Sequence, residues 1–195
     1  MVDISTNDTP LVETVTQDLF LLKVLELAAG EDGAKEDPLR QNRGLRVDEY
    51  IRSTHLDPAA NPPHGYAWCA CFVYWCFEQA AAALSVTNPC WRSASVVTHW
   101  DRTSGRKILA VDVQEDRLLV KPGMIFCRTH DLHSHTGIVC QVGETGIITV
   151  EGNTNLAGSR EGNAVVAGKL RTWDYVQLGY IDYSGMSQPL PAVSG

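Results

Sequence analysis

No apolar run in this 195-residue sequence is long enough to span a bilayer. The longest, LFLLKVLELAA, is too short and carries charge, so no membrane insertion is expected. Excess positive charge is also missing: 16 Lys and Arg against 23 Asp and Glu give a net charge of −7. That balance argues against nucleic acid as a partner, since neutralising phosphates calls for a basic face. The first twenty residues, MVDISTNDTPLVETVTQDLF, have no basic segment, uninterrupted apolar core or small-residue cleavage site, as a secretory signal would. Synthesis in the cytoplasm, with six reduced cysteines, is therefore the expectation. The cysteines show no C-x2-C knuckle and no spacing of a small secreted disulfide scaffold.

What is present fits one globular domain. Hydrophobic residues make up 44% and charged residues 20%, and a chain of this length buries about 70% of its unfolded surface. Residues 1–10 read as a flexible N-terminus, 11–183 as one domain and 184–195 as a flexible tail. Helical spacing runs from Leu11 to Ala29, and LRVDEYIRS predicts a second helix with Leu45, Tyr50 and Ile51 facing inward. LDPAANPPHGY is a proline-rich approach that cannot be helical throughout. A third helix starts near Cys69, where Cys69, Phe72, Val73, Cys76, Phe77, Ala80 and Leu84 form one stripe, and a short one is expected at Ser95–Trp100. After Lys107, KILAVDV, RLLV, MIFCR, TGIVCQV, GIITVEG, AVVAGKLRTW and VQLGYIDY read as strands. Helices followed by strands predict an α+β fold, with N-terminal helices packed on a C-terminal antiparallel sheet.

The segment YAWCACFVYWCF poses the functional question, because it holds three of the six cysteines. Zinc ligation is one reading, with C127-x2-H130-x2-H133-x-H135 as a possible second set. Cys69 and Cys71, however, would leave the helix about 200° apart and could hardly grip one ion. Packing is the simpler reading for Cys76, Cys127 and Cys140, which lie in apolar runs. Cys71 is expected to face away from the stripe, beside Trp68 and Trp75. Cys69 differs, since the first turn of a helix offers backbone N–H groups and a positive dipole end that favour thiolate. Those N–H groups could also hold a developing oxyanion.

A nucleophile there needs a base and something to orient it. His135 heads one predicted strand, and Glu151 and Asn153 end the next. The intervening turn is short enough for a hairpin, which places those strand ends side by side. Two-residue alternation would put Glu151 and Asn153 on one face, where an acceptor could bond one ring nitrogen and leave the other for the thiol.

WCACFVYWC, HTGIV and VEGNTN, in that order, resemble the CHAP amidohydrolase/peptidase family, relatives of the NlpC/P60 enzymes with a papain-like fold. The resemblance spans about Gly33 to Tyr183, helped by NRGLRVDEYIRS and VKPGMIF. Cys71, Ser134 and Ala67 depart from the family pattern, but none removes a catalytic group. The resemblance implies a peptidoglycan substrate, with Cys69 as nucleophile, His135 as base and then acid, Glu151 orienting the imidazole and Asn153 supporting it. It implies no cofactor, and no Asp/Asn-rich loop suited to calcium precedes Cys69. Trp68, beside the nucleophile, is a candidate substrate contact, while His130 and His133 have no counterpart in the motif. An inactive wall-binding module or a zinc-binding module on the same scaffold are the alternatives. Action on the wall as a monomer would require delivery through a holin or a secretion system, the latter often with an immunity partner.

Overall fold

The computed structural model describes residues 18–37, 42–60, 65–130, 133–155 and 162–191. Five helices are α1 (Leu19–Gly30), α2 (Leu45–Ser53), α3 (Cys69–Leu84), α4 (Val96–Arg102) and α5 (Ala110–Glu115). Six strands are β1 (Arg106–Leu109), β2 (Ile125–His130), β3 (His133–Val142), β4 (Gly146–Thr154), β5 (Ala164–Thr172) and β6 (Gly179–Asp182). They form one antiparallel sheet in the order β1-β6-β2-β3-β4-β5. This is the expected α+β arrangement. Among the described residues no helix is long and apolar enough to cross a membrane.

α1 starts at Leu19, where the Asp18 carboxylate accepts from the Phe20 and Leu21 N–H groups. That bond satisfies donors a helix start otherwise leaves open. Residues 11–17 lie outside the described residues. In α2, Tyr50 and Ile51 are buried as expected, whereas Leu45 is 88% exposed. Leu45 occupies the first helical position, directly after the Gly44 cap and clear of the α3 contact.

α3 is the organising element. It is buried on all sides from Cys69 to Phe77 rather than along one stripe, and Leu84 is exposed. α1 and α2 cover one flank and strands β3 and β4 the other. Phe20 meets Phe77 edge-on at 5.7 Å, and Tyr50 packs against Trp68 and Phe72 at 5.5 and 5.3 Å. Each fully buried ring contributes about 1.5–3 kcal/mol. A smaller apolar cluster on the other sheet face joins Met124, Phe126, Val139, Ile147 and Tyr180.

Three expectations need correction. KILAVDV is a strand only through Leu109; AVDV forms α5, in which Val113 alone is buried and Asp112 sits in the favourable first turn. RLLV is a short 3-10 turn that begins when the Asp116 carboxylate accepts from the Leu118 N–H. The tail is not loose through Leu190. Gly185 N–H donates to Asp18, Thr87 N–H to the Gln188 carbonyl, and Leu190 N–H to the Ser85 carbonyl.

Two glycines let the elements meet closely. A Cβ on Gly152 would lie 2.6 Å from Phe72 Cβ and 2.8 Å from the Trp68 ring. A Cβ on Gly137 would lie 2.7 Å from Glu151 Cγ and 2.8 Å from Phe126. Gly152→Ala is therefore expected to cost about 1–3 kcal/mol by overpacking. Gly30→Ala, which meets open space, should stay within about 0.5 kcal/mol of wild type. Urea unfolding of both variants measures the difference.

Candidate active site

The chain reaches α3 from Gly65 through Tyr66, Ala67 and Trp68, and the helix opens at Cys69 with no side-chain cap on its first turn. Its N–H groups thus face the same space as the Cys69 thiol, which is 5% exposed. Asn153 fixes this entrance. With its amide oriented to satisfy both ends, its oxygen accepts from Trp68 N–H at 3.1 Å and its nitrogen donates to the Gly162 carbonyl at 2.7 Å.

That contact corrects the expected geometry of Asn153. Its φ is +53°, a left-handed conformation that asparagine tolerates, and the β4–β5 register breaks between Glu151 and Thr154. The two-residue alternation is lost there, so the amide turns to the start of α3 rather than to His135. Trp68 is corrected as well. Its ring is fully buried, stacked on Tyr50, and its indole N–H donates to Glu36 at 2.8 Å. It is a core residue and offers no face to a substrate.

His135 is the third residue of β3, not its head, because the strand begins at His133. His133 is exposed and pairs with His130 across the ladder; the side chain of His130 lies outside the described residues. His135 Nε2 bonds Glu151 Oε2 at 2.8 Å, which leaves Nδ1 for the thiol. Burial works against the imidazolium, but hydrogen bonding to Cys69 and Glu151, reinforced by their charges, raises the His135 pKa to about 9.

The Glu151 side chain has no solvent exposure. Its Oε1 accepts from Thr149 Oγ1 and from Arg171 Nε, both at 2.7 Å, and its Oε2 accepts from His135 and from Arg171 Nη2. Burial alone would raise its pKa. The bonds from Arg171 and His135 outweigh it and bring the value down to about 2. Arg171 in turn lies 3.9 Å from the centroid of the Tyr175 ring. Burial is the main cause raising the Tyr175 pKa, and the Arg128 guanidinium also lies over its ring.

Thr149, Arg171, Tyr175 and Arg128 were not singled out from sequence. Thr149 had a signal, since it lies two residues from Glu151 and so on the same face. Arg171 had none, because it pairs with Ile147 in register and reaches back along the sheet.

Burial pushes Cys71 and Cys127 up to about 12 and Cys140 to about 11. Cys71, expected to lie off the stripe beside Trp68 and Trp75, is a fully buried packing residue with Thr54 Oγ1 3.5 Å from its sulfur. The zinc constellation does not fit either. Cys127 stands opposite Thr136 and Arg128 opposite His135, so Cys127 and His135 point to opposite faces of the sheet. Among the described residues no group of three or more Cys, His, Asp or Glu side chains could hold a metal.

Coupled titration fixes the pH response. The raised His135 pKa contributes stability that is complete below about 6.5 and lost as pH rises through about 9. The lowered Glu151 pKa contributes stability present above about 4.5 and lost as pH falls through about 2. The His135 midpoint, followed by NMR of its ring protons, should lie well above 6.5 and drop in both Cys69→Ala and Glu151→Gln. An unchanged midpoint in either variant would show that the corresponding bond is not made in solution.

Comparison with known families finds one match: the CHAP domain model covers residues 61–153, from just ahead of Cys69 to Asn153. No curated protein and no solved structure matches the chain.

Proposed function

We propose, from the match of residues 61–153 to the CHAP domain model, that the protein is a cysteine amidohydrolase that cuts an amide bond in peptidoglycan. The family supports a hydrolase or peptidase acting on cell wall. The observation that carries the finer reading is the imidazole of His135, held at Nε2 by a buried ionised carboxylate with Nδ1 left unengaged by it, and with Cys69 among the groups that raise its pKa.

The chemistry follows from those contacts. Proton transfer from Cys69 to His135 Nδ1 makes a thiolate–imidazolium pair, which the Glu151 carboxylate stabilises. The thiolate adds to the amide carbonyl, and N–H groups at the start of α3 receive the oxyanion. Collapse breaks the C–N bond as the imidazolium hands its proton to the leaving amine, which departs and leaves a thioester. Neutral His135 then takes a proton from water, hydroxide adds to the thioester, and the acid is released as the thiol regains its proton. Arg171 is in place to keep Glu151 ionised throughout.

Asn153 enters this reading as a positioning residue for the Trp68–Cys69 junction rather than as a partner of the imidazole. The proposed place of action is the cell wall, reached by holin- or secretion-dependent delivery. An inactive wall-binding module would leave Cys69 unreactive, and selective labelling of that thiol near neutral pH distinguishes the two.

Purified sacculi provide the direct test. Cys69→Ala should lose about 10³-fold or more of the hydrolytic rate, while Cys71→Ala, which alters only a buried neutral thiol, should keep most of it. Mass spectrometry of the released fragments identifies the bond cut. Hydrolysis by Cys69→Ala at the wild-type rate would overturn the proposal.

A further inference from the structure

Among the described residues, one guanidinium beside the site has no counter-charge. Arg128 stands directly opposite His135 in the β2–β3 ladder, so both side chains leave the sheet on the same face. Its Cζ lies 4.7 Å from the Tyr175 ring centroid, the ring that Arg171 also covers. Arg171 spends its donors on Glu151. Arg128 does not: its Nε is buried with no hydrogen-bond partner, and among the described residues it forms no ion pair.

Counting charge sharpens the point. Glu151 and Arg171 form a neutral pair, and thiolate with imidazolium forms another. Lys169 spends its ammonium on the Thr154 hydroxyl and the Asn155 carbonyl, whereas Arg128 has neither an ion pair nor a hydrogen bond at Nε among the described residues. A buried unpaired donor is costly and rare in a finished structure, and a planar guanidinium is the group best matched to a carboxylate. Stacking on Tyr175 holds the plane but satisfies none of its N–H groups.

We propose that Arg128 reads a carboxylate on the substrate, next to the scissile amide, and so sets which substrates are cut. The inference rests on the amide-hydrolase reading above and adds a specificity element to it. Stem peptides of peptidoglycan carry free carboxylates, and amidation of one removes the charge that Arg128 would bind. A substrate carboxylate would complete the orphaned Nε–H and neutralise the site; a carboxamide would leave both unmet.

Two measurements separate this inference from the reading beneath it. The first compares alkylation of Cys69 by iodoacetate, an anion, and iodoacetamide, its neutral analogue, followed by mass spectrometry of the full chain. The iodoacetate-to-iodoacetamide rate ratio should fall about tenfold in Arg128→Met, the size expected when one charge-assisted contact is lost, and Arg128→Lys should retain most of it. An unchanged ratio in Arg128→Met, or an equal fall in both variants, would mean that the arginine only packs on Tyr175.

The second measurement compares stem peptides that differ only in a carboxylate or carboxamide beside the cleaved bond. Wild type should favour the carboxylate form, chiefly through KM, and Arg128→Met should level the two. Equal kcat/KM for both peptides in wild type would overturn the inference. If wild type cuts neither peptide nor sacculi while the alkylation ratio still depends on Arg128, the peptidoglycan reading falls and the anion subsite stands.

Discussion

A carboxylate with no access to water would normally take up a proton, and Glu151 remains ionised only because its surroundings replace the lost hydration. Arg171 supplies two donors, Thr149 one, and His135 the fourth. The cost of placing charge in a poorly polarisable interior is offset only while this set is complete. The same carboxylate therefore has two tasks. It ties β5 to β4 through Arg171, and it fixes the plane and the free nitrogen of the imidazole on β3. Gly137 belongs to this arrangement too, since a side chain there would occupy the space that the Glu151 stem fills.

The proposed nucleophile stands out from six free cysteines by position rather than by chemistry. Cys71, Cys76, Cys90, Cys127 and Cys140 all have burial as the leading cause of a raised pKa, and a protonated thiol is a poor nucleophile. Cys69 alone combines the first turn of a helix with the neighbourhood of a histidine. Asn153 makes that placement reproducible, because the amide that holds Trp68 N–H sits two residues beyond the carboxylate that holds His135. One short stretch of β4 thus aligns both partners of the proposed proton transfer.

The neighbourhood of Cys69, His135 and Glu151 was legible in the sequence because each is marked by a local signal: a helix start after proline and glycine, the opening residues of a strand, and a hairpin short enough to count across. The α+β order was legible for the same reason, from a change in hydrophobic period near Lys107. Arg171 and Tyr175 were not, since two register shifts in the β4–β5 ladder defeat counting and Tyr175 sits in a 3-10 turn after β5. Asn153 misled because one left-handed residue cancels the alternation on which the reading relied. AVDV looked like a strand by its β-branched residues, yet only Val113 finds apolar cover. Burial decides such cases, and burial is not local.

The bridge between Val86 and Pro189 has a practical corollary. It anchors the last described residues just past the C-terminal end of α3, whereas Cys69 opens that helix sixteen residues earlier. At about 1.5 Å of rise per residue, the two ends stand roughly 24 Å apart. A fluorescent label attached at Leu190 would therefore sit remote from the Cys69 thiol, leaving that end of the helix unobstructed.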